Sequence, residues 1–220
     1  MNLQEAIEAR HSVRSYLSKK IPQDIRDKLD RSALDCSRDG DVHIFIQYDD
    51  PEGFNSGLAR YGSFRNVQNY IVLAGKKGGD FSERCGYWGE KLVLYAQELG
   101  LNTCWTALTF NKSRVKTLLR SGESLCMVIA LGYGETQGTP HKGKSCSDVS
   151  DAVDAPDWFV SGVRAALLAP TATNQQKFRF SYRDGTAYVR IAGLGIETKT
   201  DLGIVKYHFE AVSGHEAKIV

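Results

Sequence analysis

Ala169-Pro170-Thr171-Ala172-Thr173-Asn174-Gln175-Gln176 is the stretch on which the reading of this chain turns. Upstream, Phe159, Val163, Ala166 and Leu167 recur at helical spacing over residues 158–168. Pro170 cannot continue that helix, because its ring fixes φ and it lacks an N–H. Downstream, residues 178–182 and 187–191 face each other across Arg183-Asp184-Gly185-Thr186 as a β-hairpin. The stretch is therefore a helix-to-strand turn. Its small residues and proline let another group approach the backbone closely, and Thr171, Thr173, Asn174 and Gln176 offer hydroxyl and amide donors and acceptors. Such a turn suits a phosphate or a polar heteroaromatic edge, although a plain connection rich in turn-forming residues has the same composition.

A comparable unit lies nearer the start. Pro22 opens a helix whose apolar stripe is Ile25, Leu29, Ala33 and Cys36; Ser37-Arg38-Asp39-Gly40 ends it, and residues 43–48 read as a strand. Residues 22–48 and 157–183 thus share the order helix, turn, aromatic-containing strand, a weak repeat signal that two unrelated helix–strand units would give equally. Residues 49–66 read as a long irregular connection, and residues 70–74 as a buried strand stopped by Gly75-Lys76-Lys77-Gly78-Gly79. That cluster could cradle an anion, but without the GxxxxGK[ST] arrangement it reads as a loop. Cys85, Trp88, Leu92, Tyr95, Ala96 and Leu99 define the strongest helix, residues 81–99, with Gly100 as its stop. A short apolar segment follows at 101–108. Asn111 then caps a helix carrying Val115, Leu118 and Leu119, and residues 125–131 form another buried strand. Residues 135–155 are polar, lack a period and contain His141-Lys142-Gly143-Lys144-Ser145. Residues 201–212 suggest a last helix, weakened by Gly203.

Near the N-terminus, a short amphipathic helix with Leu3, Ala6 and Ile7 leads into Arg10-His11-Ser12-Val13-Arg14. In an extended segment, alternation puts Arg10, Ser12 and Arg14 on one side. Two forked guanidiniums and a hydroxyl there suit a phosphate; a solvated basic turn is the plainer reading.

Composition bounds the function. A net charge of +2 over 220 residues gives no argument for nucleic acid, and no apolar run approaches the length of a membrane span. Met1-Asn2-Leu3-Gln4-Glu5 reads as a helix start, not as a secretory signal. The five cysteines are widely spaced, with no CxxC and no Cys/His ligand spacing, so neither a metal site nor a disulfide framework is indicated and a reducing cytoplasm is expected. Cys104 reads as a small buried hydrophobe, His208 as structural, and Trp88 and Trp105 as core or cavity wall.

Four elements together resemble the FMN-dependent nitroreductase family. Residues 169–180 are similar to its APSxxNxQPWxF element, and Arg10 to Arg14 to its RxSxR/K phosphate-binding element. Tyr95-Ala96-Gln97-Glu98-Leu99-Gly100-Leu101-Asn102-Thr103-Cys104-Trp105 resembles its AxELGL helix end, and Lys142-Gly143-Lys144 stands where the family has a late basic pair. The layout departs from the family's usual one: the Pro-Ser-x-x-Asn element normally follows the second helix, whereas here it follows Leu168. This resembles a divergent branch with a rearranged, partly duplicated core.

The resemblance implies one α+β domain over residues 1–220, a mixed, largely antiparallel sheet flanked by helices, with FMN in a cleft. It implies that Arg10, Ser12 and Arg14, with the backbone of His11, hold the flavin phosphate, ribityl chain and pyrimidine edge, and that Lys142 and Lys144 grip the phosphate. Pro170, Thr171, Ala172 and Asn174 would line the ring, and the backbone of Trp105, Thr106, Ala107 and Leu108 would approach its N5 and O4 atoms. The family often has Glu-Gly where this chain has Ala107-Leu108, which removes any role of a carboxylate there. Its middle Asn and Lys contacts have no match in residues 57–68. The implied reaction is ping-pong: NADH or NADPH gives a hydride to flavin N5, and a small electron-poor acceptor, a nitroaromatic or quinone, then takes the electrons, with no side-chain acid or base required. A flavoenzyme of different outcome, dehalogenating or flavin-consuming, and a non-catalytic FMN-binding module remain alternatives. The family forms homodimers with the flavin between subunits; a chain carrying both elements could imitate that dimer as a monomer, or could itself still pair as a homodimer.

Overall fold

The computed structural model describes residues 1–140, 142–151 and 154–220; His141 of the late basic stretch lies outside them. Helix α1 (Leu3–Ala9) begins in a capping box, with the Glu5 N–H donating to Asn2 Oδ1 and the Asn2 N–H to Glu5 Oε2, each at 2.9 Å. Pro22 stands just before α2 (Gln23–Gly40), which buries Leu29, Ala33 and Cys36 and ends with Asp41 in the left-handed region. Strand β1 (His43–Gln47) follows. The connection expected to be irregular instead holds a 3-10 turn at Pro51–Gly53 and α3 (Gly57–Tyr61), which Ser56 caps through the Ala59 N–H. Next come β2 (Asn69–Gly75), α4 (Phe81–Glu98), β3 (Asn102–Thr106), α5 (Lys112–Lys116) and β4 (Ser124–Gly132). The second part of the chain holds α6 (Cys146–Val149), a helix in the stretch without a period, then α7 (Asp157–Leu168), β5 (Phe178–Arg183), β6 (Thr186–Ile191), α8 (Thr198–Ser213) and β7 (Ala217–Ile219).

Two sheets form where one was expected. The first has the order β1-β2-β4-β3 with every neighbour antiparallel, so β3 runs in the direction of β2. Every residue of β2 is buried, because helices α2 and α4 pack on one face and the α3 and α5 region on the other. The second sheet pairs β5 with β6 antiparallel and β6 with β7 parallel. The hairpin turns Phe178, Phe180, Ala187 and Val189 toward α7 and α8, and these build a separate core with Phe159 and Phe209. Each sheet thus has its own helical layer to bury against, and the two do not merge.

The helical layers meet where α4 crosses α8. A Cβ on Gly86 would lie 2.1 Å from the Thr200 carbonyl oxygen, and one on Gly203 would lie 2.0 Å from that of Glu83. Gly203 is therefore the point of closest backbone approach, not a weakness in the helix. None of the described helices is long and apolar enough to cross a membrane.

Candidate functional site

The cleft is built from the extended N-terminal segment. After α1 ends at Arg10, Ser12 bridges Thr103 in parallel, the Val13 N–H donates to the Thr103 carbonyl at 3.0 Å, and the Arg65 N–H donates to the Arg14 carbonyl at 2.9 Å. Val13 and Tyr16 consequently point into the core, while Ser12 and Arg14 are exposed.

Opposite that segment lies the turn after α7. Thr173, Asn174 and Gln176 have φ of 50°, 55° and 45°, left-handed values that non-glycine residues rarely adopt. Side chains hold this conformation. Asp201 of α8 accepts from the Ala172 N–H at 2.9 Å and from Gln175 Nε2 at 2.7 Å. Gln176 Nε2 donates to the Leu167 carbonyl at 3.0 Å, and its Oε1 accepts from the Lys144 N–H at 2.7 Å. Burial pushes the Asp201 carboxyl up to about 6, against the opposing pull of its two hydrogen-bond donors.

Between segment and turn run two adjoining lobes that share Ser12, Arg14, Pro170, Thr171 and Thr173. The first, about 240 Å³, is mostly apolar: Trp105, Ala107, Leu108 and Met127 face Pro170, Ala172 and Ile204 across it. The second, about 560 Å³, is polar and basic, with Arg10, His11 and Asn174 joined by Ser63, Arg65, Thr136 and Thr139. An apolar slot continuous with a cationic pocket fits a flat heteroaromatic ring bearing a phosphate-terminated chain.

Twelve of the residues expected at a cofactor line these lobes: Arg10, His11, Ser12, Arg14, Trp105, Thr106, Ala107, Leu108, Pro170, Thr171, Ala172 and Asn174. Lys142 and Lys144 do not. Lys144 Nζ donates to the Gln176 carbonyl at 2.8 Å, and the Lys142 carbonyl accepts from Asn174 Nδ2 at 2.8 Å. Lys144 thus braces the turn with its side chain, as donor to an outward carbonyl, and Lys142 with its backbone carbonyl, as acceptor for the Asn174 amide.

Arg10 also departs from the alternation. Its side chain is buried, and its Nε lies 3.8 Å from Oε1 of Glu90. Among the described residues its Nε and Nη1 have no hydrogen-bond partner. Glu90, itself fully buried, accepts from Trp105 Nε1 and faces His208 Nε2, each at 2.8 Å, while His208 Nδ1 faces the Ala165 carbonyl at 3.2 Å. A buried carboxylate thus ties α4 to the cleft wall, to α8 and to the start of the phosphate-type segment. Sequence reasoning assigned no role to Glu90, Asp201, Arg65 or Thr136. The cysteine beside the cleft, Cys104, is 1% exposed and burial pushes its thiol up, in keeping with a packing role.

The sequence profile of a family described as "Putative TM nitroreductase" matches residues 2–213. Among solved structures, the chain is similar to a putative nitroreductase from Thermotoga maritima, with 24% identity and a TM-score of 0.68 over 98% of this chain and 87% of that one. It is also similar to a putative NADH dehydrogenase/NAD(P)H nitroreductase from Bacteroides thetaiotaomicron (21% identity, TM-score 0.53, 67% of this chain and 95% of that one). A third is a putative nitroreductase in complex with FMN from Desulfovibrio desulfuricans (14% identity, TM-score 0.55, 71% of this chain and 99% of that one). At these identities the likeness is one of fold. None of the curated proteins compared with the chain matches it.

Proposed function

Because this chain belongs to the family of putative TM nitroreductases, whose profile spans nearly all of it, we propose that it is an FMN-dependent oxidoreductase using NADH or NADPH. The observation that carries this reading is the paired cleft, in which an apolar slot and a cationic pocket share Ser12, Arg14, Pro170, Thr171 and Thr173. The buried, unpartnered N–H groups of Arg10 support an anion nearby, since orphaned buried donors are costly unless something satisfies them. Bound there, FMN would supply the redox chemistry, passing electrons from a nicotinamide to an electron-poor acceptor of the nitroaromatic or quinone class.

The chain's own residues bind and orient. Arg14 and Arg65, with Ser12 and Thr136, hold the phosphate in the polar lobe, and the His11 backbone and Arg10 lie at its inner end. Ala107, Leu108, Pro170 and Ala172 flank the ring and keep water from its faces. The backbone N–H groups of Ala107, Leu108 and Thr171 would stand at its edge, where they stabilise negative charge without a reorganisation cost. Lys142 and Lys144 act through the turn, where they hold the left-handed Asn174 and Gln176 in place.

Both walls come from one chain, so we propose one FMN per monomer, the second part of the chain standing in for a partner subunit. The element orders support this: apart from the 3-10 turn and the short α3 inserted between β1 and β2, α2-β1-β2-α4-β3 follows the same order as α7-β5-β6-α8-β7, helix, strand, strand, helix, strand. In each the last strand runs parallel to the middle one. The test is the visible spectrum of the purified protein, repeated anaerobically after NADH or NADPH. A flavin band that bleaches, at one FMN per chain in a species of monomer mass, is the expected result. A bound flavin that neither nucleotide bleaches would leave a binding module, and FMN found only in dimers would remove the single-chain site.

A further inference from the structure

A second cavity opens beside the cleft. It measures about 800 Å³, and its rim carries Lys77, Lys112, Lys116 and Arg120 against only Glu123 and Glu197. Lys112 and Lys116 stand one turn apart on α5 and so share a face. Lys77 comes from the glycine–lysine loop after β2, the cluster that in the sequence could cradle an anion but reads as a loop. All four cationic residues are exposed, and among the described residues none of their side chains forms a hydrogen bond or ion pair. Glu123 is already engaged, accepting from the Arg120 N–H at 2.9 Å and facing His43 Nδ1 at 2.9 Å. The groove therefore holds a surplus of uncompensated positive charge, which favours a ligand with several negative charges.

The groove and the apolar slot adjoin. Glu197 lines both. Strand β4 gives Ser124, Leu125 and Cys126 to the groove and Met127 to the slot, and the segment after β3 gives Leu108 and Thr109 to the slot just before Lys112 enters the groove. A nicotinamide brought to the ring in the slot would carry its anionic end along this shared wall.

We propose that this groove binds the phosphorylated adenosine end of the reductant and selects NADPH over NADH. The proposal rests on the oxidoreductase reading, but the groove can be tested apart from it. NADH brings only a pyrophosphate. NADPH adds a 2′-phosphate, for which four unpaired cations leave partners to spare. Ser82, Ser121 and Ser124 on the groove wall add hydroxyl donors suited to phosphate oxygens.

The experiment measures binding of adenosine 2′,5′-bisphosphate, adenosine 5′-monophosphate and inorganic pyrophosphate to the holoprotein by calorimetry. It is repeated with the double variant Lys112→Gln, Lys116→Gln, whose exposed side chains leave the core untouched. The bisphosphate should bind at least tenfold more tightly than the monophosphate. The double variant should erase that difference and raise KM for NADPH, with kcat and the KM for NADH little changed. Equal binding of the two nucleotides, or a preference that survives the double variant, would overturn the assignment. Pyrophosphate binding as tightly as the bisphosphate would also overturn it, leaving an unspecific anion patch. If the bisphosphate binds as expected but neither dinucleotide bleaches the flavin, the groove stands and the oxidoreductase reading falls.

Discussion

Glu90 shows why single residues in this chain cannot be judged from their neighbours in sequence. It sits between Gly89 and Lys91 with nothing beside it in sequence to mark it, yet it is fully buried, because His208, 118 positions away, closes over it. Asp201 was hidden for the same reason, its role depending on a turn nearly thirty residues upstream. Ser12, Arg14 and the Pro170 turn were legible because short-range chemistry fixes them: alternation in one case, helix termination in the other. Replacing Glu90 with alanine leaves Arg10 buried without its counter-charge, and should cost about 3–5 kcal/mol, read as a drop in the urea midpoint. Arg14 is exposed, so Arg14→Ala should leave that midpoint unchanged while weakening FMN retention by about 1.5–3 kcal/mol, measured by flavin fluorescence titration. Asp201 sets a pH dependence. Its folded pKa of about 6 exceeds the unfolded value of about 3.9, so the folded state holds a proton that the unfolded state releases between them. Stability should accordingly fall as pH rises from about 4 to about 6, by at most about 3 kcal/mol. Asp201→Asn, which keeps an acceptor for the Ala172 N–H, should lose that slope in urea titrations across the same range.

At the scale of elements, periodicity located α2, β1, β2, α4, α7 and the β5–β6 hairpin close to their observed bounds, because each buries a full apolar stripe or face. It missed α3 and α6, which are too short to show a period, and β7, a three-residue strand that exists only by pairing with β6. It also misjudged Gly203, since a glycine inside a helix looks unfavourable until the partner helix is present. The α4–α8 crossing makes the opposite prediction: Gly203→Ala should destabilise by about 2 kcal/mol or more, through a backbone clash that neither helix can relieve by changing a rotamer. Thermal melts of Gly203→Ala against Gly214→Ala would check it. A Cβ at Gly214 meets nothing, so that second variant should lose only the smaller cost of its φ of 69°.

For the whole molecule, the division into two sheets was not legible, because it depends on which helical layer each hairpin finds and not on either hairpin's own pattern. The two cores are nonetheless joined: Trp105 packs against both, and Glu90 links the helices between them. Unfolding should therefore be a single transition, with tryptophan fluorescence and far-UV circular dichroism tracing one curve; two separated midpoints would mean that the parts melt independently. The joint has a mechanical meaning as well. Asp201 and Ile204, which line the slot, flank Gly203, where α8 touches α4. The glycine contact works as the stop on a caliper: it sets how far one jaw closes toward the other, and hence the gauge of object the jaws can grip. One methyl group added at that stop, which is not among the residues lining the slot, would loosen the grip without altering a single surface that touches what is held.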